Sequence, residues 1–282
     1  FYESEVVFVL GQNPGTNHPR MLSALQTCKR NGGKIVSVNP LKEAGLLGFA
    51  HPQEISGLIG KATELTDQFV QVRINGDQAY LKGLGKVILE NPDRIDRKFI
   101  EKYTEGFEEY RQATESLEWD AITSLCRITE EEIRKSAKIL IAGKSAIFCW
   151  AMGLTQHKNA VATIQEIVNL QLMLGNLGKP GAGLCPVRGH SNVQGDRTMG
   201  IYEKMPDSFL DQLGKEYGFE PPREHGFDTV DAIKAMHAQP GMTFIALGGN
   251  FISATPDTNF TARALQNCAL TVQISTKLNR SH

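Results

Sequence analysis

The sequence predicts an α/β protein of two halves, each a parallel sheet flanked by helices, and three observations carry that expectation. Short apolar, β-branched runs such as Val6–Leu10 and Lys34–Val38 alternate with segments of helical periodicity. Each run ends in a polar or glycine-rich loop. The strand–loop–helix–strand order then returns after Asp196. Alternation of this kind gives parallel strands with right-handed crossovers, and ligands of such sheets gather at the carboxyl ends of the strands.

The first half follows in order. Residues 6–10 form a strand running into a polar loop, residues 11–19, and residues 20–30 place Met21, Leu22, Leu25 and Cys28 at helical spacing. Asn31, Gly32 and Gly33 stop that helix, and a second strand at 34–38 ends in Asn39 and Pro40. Asn13 and Asn39 are therefore expected to face one crevice. His18, just before Pro19 at a helix start, reads as a cap or loop hydrogen-bonder ahead of a metal ligand or base. Residues 69–74 read as a third strand and 77–89 as a helix. Residues 94–121 are highly charged, with Phe99, Tyr103, Phe107, Tyr110 and Trp119 as an inner aromatic stripe of solvated helices. Thr129 with Glu132 three residues on is a capping box for the next helix. A fourth strand at 145–153 delivers Trp150, Met152, Gly153 and Gln156, and Asn159 opens an apolar helix. Trp150 and Met152 could flank a flat ligand or pack a core.

Residues 175–196 are dense in glycine and contain Pro180, Pro186 and Arg188, a composition that argues for a long loop. The backbone of a long loop needs hydrogen-bond partners, and a bound ligand is the expected one. Arg188 adds a planar fork of donors suited to carboxylate or phosphate. Helices at 208–217 and 229–238, a strand at 242–247 ending in Gly248, Gly249 and Asn250, a helix at 259–267 and a strand at 270–274 complete the second half. The two domains are placed at residues 1–189 and 190–282, with a long dinucleotide, or two related ones, held in the cleft between them.

Composition narrows the function. The 282 residues carry 30 Lys+Arg against 31 Asp+Glu, a formal net charge of −1, so neither nucleic acid nor a membrane surface is an expected partner. The five cysteines, Cys28, Cys126, Cys149, Cys185 and Cys268, are odd in number and lack a Cys-x-x-Cys pair. That argues against a disulfide framework and against a metal–sulfur cluster ligated within the chain, and favours a reducing, cytoplasmic setting. No apolar run reaches membrane-span length and no signal peptide is visible. Gly-x-Gly-x-x-Gly is missing after the first strand, which disfavours an ordinary nicotinamide dehydrogenase. The chain starts almost inside a strand without Met and stops directly after another, so it is expected to be the central piece of a longer protein.

Five motifs in order resemble the molybdopterin oxidoreductases of the dimethyl sulfoxide reductase family, and within it the catalytic subunits of formate dehydrogenases. They are Gly11-Gln12-Asn13-Pro14 with His18-Pro19, the run from Trp150 through Met152-Gly153 to Gln156, and the glycine stretch from Gly175 to Gly183. Pro186-Val187-Arg188-Gly189 with Asn192-Val193-Gln194-Gly195, and Gly248-Gly249-Asn250 with Thr276-Lys277, complete the set. The resemblance implies Rossmann-like domains of the formate dehydrogenase type and a bis-molybdopterin guanine dinucleotide holding molybdenum or tungsten, one arm on each domain. It implies that Arg188 holds the substrate carboxylate, formate or another small oxyanion. It assigns cofactor contacts to Gly11, Gln12, Asn13, His18, Asn39, Met152, Gly153, Gln156, Gly189, His190, Asn192, Gly248, Gly249, Asn250, Thr276 and Lys277. Bare backbone N–H groups of residues 11–13 and 248–250 are expected to do most of the pyrophosphate holding.

The resemblance further places the metal ligand, and a [4Fe–4S] cluster, in a region preceding this chain, and implies an electron-transfer subunit as partner. Cys185 falls in the glycine segment and not at the metal. Two departures stand out. Asn39-Pro40-Leu41 replaces the family's common Asp-Pro-Arg, and His190 stands where formate dehydrogenases often carry Gln. A non-catalytic scaffold subunit built on the same fold is the competing expectation.

Overall fold

The computed structural model describes every residue except Ile201 and Glu203. It forms two compact units, Phe1–Gly189 and His190–His282.

In the first unit, β1 (Val6–Leu10), α1 (Pro14–Asn17), α2 (Pro19–Arg30) and β2 (Lys34–Val38) lead into α3 (Ala44–Leu47), β3 (Gly48–Phe49), α4 (Ile55–Leu58) and β4 (Thr63–Glu64). Then come β5 (Gln68–Val70), α5 (Asp77–Leu89), α6 (Arg97–Tyr103), α7 (Phe107–Glu115), α8 (Trp119–Cys126) and α9 (Glu130–Ala142). The unit closes with β6 (Ala146–Trp150), α10 (Met152–Thr155), α11 (Ala160–Met173) and β7 (Gly183–Pro186). The main sheet has the order β5-β2-β1-β6-β7 and every pairing in it is parallel. Strands of such a sheet are covered on both faces, which explains their unbroken apolar runs. Val6, Phe8 and Leu10 of β1 enter one buried cluster with α5, α8, α9 and α11, while Val7 and Val9 enter the other with α2. Phe8 stacks on Phe148 of β6 with ring centroids 4.5 Å apart. Thr129 and Glu132 form the expected capping box at α9.

Two expectations need correction. The third strand is only Gln68–Val70, because beyond it the Arg73 N–H bonds the Cys126 carbonyl at 2.9 Å and Asn75 turns to φ 65°, which takes residues 71–76 off the ladder. Residues 175–196 are not one long loop. They contain β7, paired with β6 from Ile147↔Gly183 to Trp150↔Pro186, and end in α12 (Val193–Thr198). The backbone of residues 183–186 has a strand as its partner, and Pro186 is tolerated because β7 is an edge strand. Gln171 of α11, fully buried, donates its amide to the carbonyls of Ala146 and Gly183 at 2.8 and 2.7 Å, joining the starts of β6 and β7. Its own carbonyl accepts from Asn176 Nδ2 at 2.8 Å.

The second unit continues from α12 through α13 (Asp207–Tyr217), α14 (Thr229–Ala238), β8 (Thr243–Leu247), α15 (Phe251–Ala254), α16 (Thr258–Gln266) and β9 (Leu270–Ile274). β8 and β9 pair in parallel, Thr243↔Leu270 to Leu247↔Ile274. Ile233, Met236, Ala264 and Leu265 form its core. Asp228 and Asp257 cap α14 and α16 by accepting from the N–H groups of Asp231 and Phe260. Each half is thus α/β with a parallel sheet.

Candidate functional site

The carboxyl ends of β1, β2 and β6 enclose a cavity of about 250 Å³ lined by Gly11, Asn39, Pro40, Val72, Ile74, Asp77, Met152, Gly153, Gln156 and His157. Five sequence-nominated residues, Gly11, Asn39, Met152, Gly153 and Gln156, therefore come together. Gly11, at φ 56°, abuts Gly153 so closely that a Cβ on Gly153 would lie 2.6 Å from the Gly11 Cα. The Gly153 N–H bonds the Gly11 carbonyl at 3.0 Å. These two glycines let two chain reversals touch. The Gly11 N–H, expected to be bare for an anion, is instead taken by the Val38 carbonyl at 3.0 Å, because the ladder extends one residue past β1.

Asn39 is 8% exposed and donates its side-chain amide to the Leu41 carbonyl at 2.8 Å. Asn13, expected to share the crevice with it, turns its side chain onto the Thr16 N–H at 3.2 Å and caps α1. Met152 is 58% exposed beside the cavity. Asp77 and His157 went unnominated by the sequence. Asp77 is 6% exposed, and burial pushes its carboxyl up to about 6, against smaller opposing effects from its own backbone N–H and from His157. The one sequence signal for it was a carboxylate directly after the Asn75-Gly76 turn.

A second chain of contacts leads to Arg188. Gln12, 3% exposed, places its Nε2 3.4 Å from His18 Nδ1 and 3.1 Å from Met21 Sδ, while its Oε1 has no partner among the described residues. His18 Nε2 lies 3.2 Å from the Arg188 carbonyl. A carbonyl only accepts, so the ring carries its proton on Nε2 and receives the Gln12 amide on Nδ1. His18 thus acts as a loop hydrogen-bonder, and it makes no side-chain cap bond on α2. It fixes the backbone of the nominated arginine. Arg188 itself is exposed, as are Gly189 and His190.

In the second unit, Gly248 and Gly249 follow β8 with φ of 73° and 76°, and a Cβ at either would meet nothing within 4 Å. Two successive left-handed glycines beside open space make a corner that a ligand can approach closely. The Gly248 N–H is taken by the Ile274 carbonyl at 2.8 Å, so that donor too belongs to the sheet. Asn279 Nδ2 donates to the Gly249 carbonyl at 2.9 Å, and Ser281 Oγ donates to Asn250 Oδ1 at 3.3 Å while accepting from the Ile252 N–H. Asn279 and Ser281 thereby order the corner, and the sequence had not marked them. Thr276 and Lys277 stand exposed just past β9. Asn192 begins α12 without a side-chain cap bond and packs on Gly195. Among the described residues, no group of three or more His, Cys, Asp or Glu side chains is arranged to hold a metal ion.

A sequence profile of molybdopterin oxidoreductases matches residues 1–280. The chain belongs to the molybdopterin oxidoreductase family. It is 52% identical over 284 residues to an uncharacterized oxidoreductase of Mycobacterium tuberculosis, covering 99% of this chain and 36% of that protein. It is 41% identical over 292 residues to Protein YdeP of Escherichia coli, covering 100% of this chain and 38% of the relative. Formate dehydrogenase H of Escherichia coli is 32% identical over 238 residues, with coverage of 84% and 30%. Acetylene hydratase from Pelobacter acetylenicus superposes with a TM-score of 0.59 at 18% identity, over 97% of this chain and 39% of that one, and so shares the fold. The chain spans between 30% and 39% of the length of these proteins. Family membership implies a molybdopterin cofactor.

Proposed function

We propose that the chain holds a bis-molybdopterin guanine dinucleotide, one arm on each unit, in an oxidoreductase acting on formate or another small oxyanion. The observation that carries this reading is the cavity at the end of the first sheet, where the buried Asp77 carboxyl stands beside Gly11, Asn39 and Gln156. Apart from it, the buried Gln12 Oε1 has no partner among the described residues. Guanine and pterin edges are rich in N–H donors, so their chemistry matches these acceptors. Gln156 and His157 border the same space, and in the second unit the open Gly248–Gly249 corner, Asn250, Thr276 and Lys277 would receive the other arm. Asn192, Gly189 and His190 are further contacts of this reading.

The bound group, with molybdenum or tungsten, would supply two-electron chemistry. The chain's own part is to bind and to orient. Arg188 offers a bidentate fork to a carboxylate, and the His18 bond to its carbonyl limits where that fork can swing. A [4Fe–4S] cluster, an electron-transfer partner subunit and a cytoplasmic setting belong to the same proposal. Among the described residues no helix is long and apolar enough to cross a membrane.

The test is made on the intact protein from a cofactor-competent host. Metal and pterin analysis should find molybdenum or tungsten with two pterins, and a screen of formate, nitrate and sulfoxides should identify the substrate. Arg188→Lys should leave cofactor content unchanged and remove most turnover, because a point charge cannot replace the planar bidentate fork. Absence of metal and pterin would favour the scaffold reading, and undiminished turnover of the variant would refute the role of Arg188.

A further inference from the structure

Two thiols in the first unit face each other across the sheet. Cys149 of β6 and Cys185 of β7 are register partners in a parallel ladder, so both side chains leave the sheet on the same face. Adjacent strands run about 4.8 Å apart, inside the roughly 4.4–6.8 Å Cα separation that a disulfide spans. Both cysteines are free. Cys149 is fully buried in the α2-side cluster, and Cys185 packs against that cluster while remaining partly exposed. Cys28 shares the cluster but is committed elsewhere. Its Sγ donates to the Ser4 carbonyl at 3.4 Å, and the sulfur sits where a Cβ on Gly33 would strike it.

We propose that Cys149 and Cys185 form a thiol–disulfide exchange site for a small oxidised disulfide compound, which closes them into a bond between β6 and β7. The Cys185 thiolate attacks one sulfur of the small disulfide, whose S–S bond breaks, and the departing thiolate takes up a proton. Cys149 then gives up its proton and attacks the Cys185 sulfur. The second small thiolate leaves and takes that proton. The protein dithiol loses two electrons and the small disulfide is reduced to two thiols.

The division of labour follows from the surroundings. The neighbouring Cys149 thiol holds the Cys185 thiol down to about 7, whereas burial pushes Cys149 well up. The partly exposed member is thus the better nucleophile near neutral pH, and the buried one resolves the mixed disulfide. This inference stands apart from the cofactor reading, since it uses no cofactor residue. Its structural consequence is a covalent tie between the strand that delivers Met152 and the strand that delivers Arg188.

The experiment incubates the reduced intact protein with oxidised glutathione, alkylates the remaining thiols and maps cysteines by mass spectrometry. The expected product is a peptide pair linking Cys149 to Cys185, reversed by dithiothreitol. Cys149→Ser should retain glutathione on Cys185, and Cys185→Ser should leave Cys149 unmodified. Recovery of both cysteines as alkylated thiols in the unsubstituted protein, or a bond from Cys149 to Cys28, would overturn the proposal even if neither variant folds.

Discussion

Replacing Asp77 by Asn separates a site residue from a structural one by the sign of its effect. The Asp77 carboxyl is raised from 3.8 to about 6, chiefly by burial, so the folded chain holds that proton more tightly than the unfolded chain does. Its ionisation therefore opposes folding. The penalty is absent below about pH 4, grows as pH rises through the window between the two values, and is complete above about pH 6. Two pK units at 1.36 kcal/mol each set its size at about 3 kcal/mol. Urea denaturation of the cofactor-free chain should then find Asp77→Asn more stable by up to about 3 kcal/mol at pH 7.5 and indistinguishable at pH 4. The intact variant should at the same time retain less pterin, because an amide offers a donor where a carboxylate would accept. A variant destabilised at neutral pH, or one with the same stability change at both pH values, would refute the reasoning.

Gly153→Ala sets a Cβ 2.6 Å from the Gly11 Cα and carbonyl oxygen, backbone that cannot step aside, and should lower stability by about 1–3 kcal/mol or more in the same assay. Thr129→Ala removes the cap of α9 and should lower stability by about 1 kcal/mol, with thermal melting as the measurement. His18→Ala should speed amide hydrogen exchange in residues 187–189 while leaving β1 and β2 protected; unchanged exchange there would mean that the bond to the Arg188 carbonyl restrains nothing.

Hydrophobic runs made most of the fold legible. β1, β2, α5 and α14 stand where their apolar pattern and stop signals put them, since burial on two faces leaves a run of apolar, β-branched residues and a helix leaves its own period. β7 was hidden because Gly183-Leu184-Cys185-Pro186 has neither the length nor the branching of a strand. It exists through a partner strand and a buried glutamine, both distant in sequence. The nominated site residues were found through glycine corners and motif order, but their roles were not all readable. Gly11 and Gly248 look like open donors in the sequence, yet each N–H closes a ladder whose partner strand only the fold supplies. Asp77 escaped notice because a carboxylate at a helix start is ordinary until its burial is known.

Gln171 gives the edge of the first sheet an unusual origin. One side-chain amide stands in for a missing rung, so the strand ahead of Arg188 is started from the helix behind it rather than by the chain that leads into it. The segment between them has a task of its own, for Gly181 turns at φ 70° against the start of the chain, where a Cβ would meet the Glu3 carbonyl oxygen at 2.6 Å. Losing the single Gln171 amide should therefore loosen the beginning of that strand while leaving this turn in place.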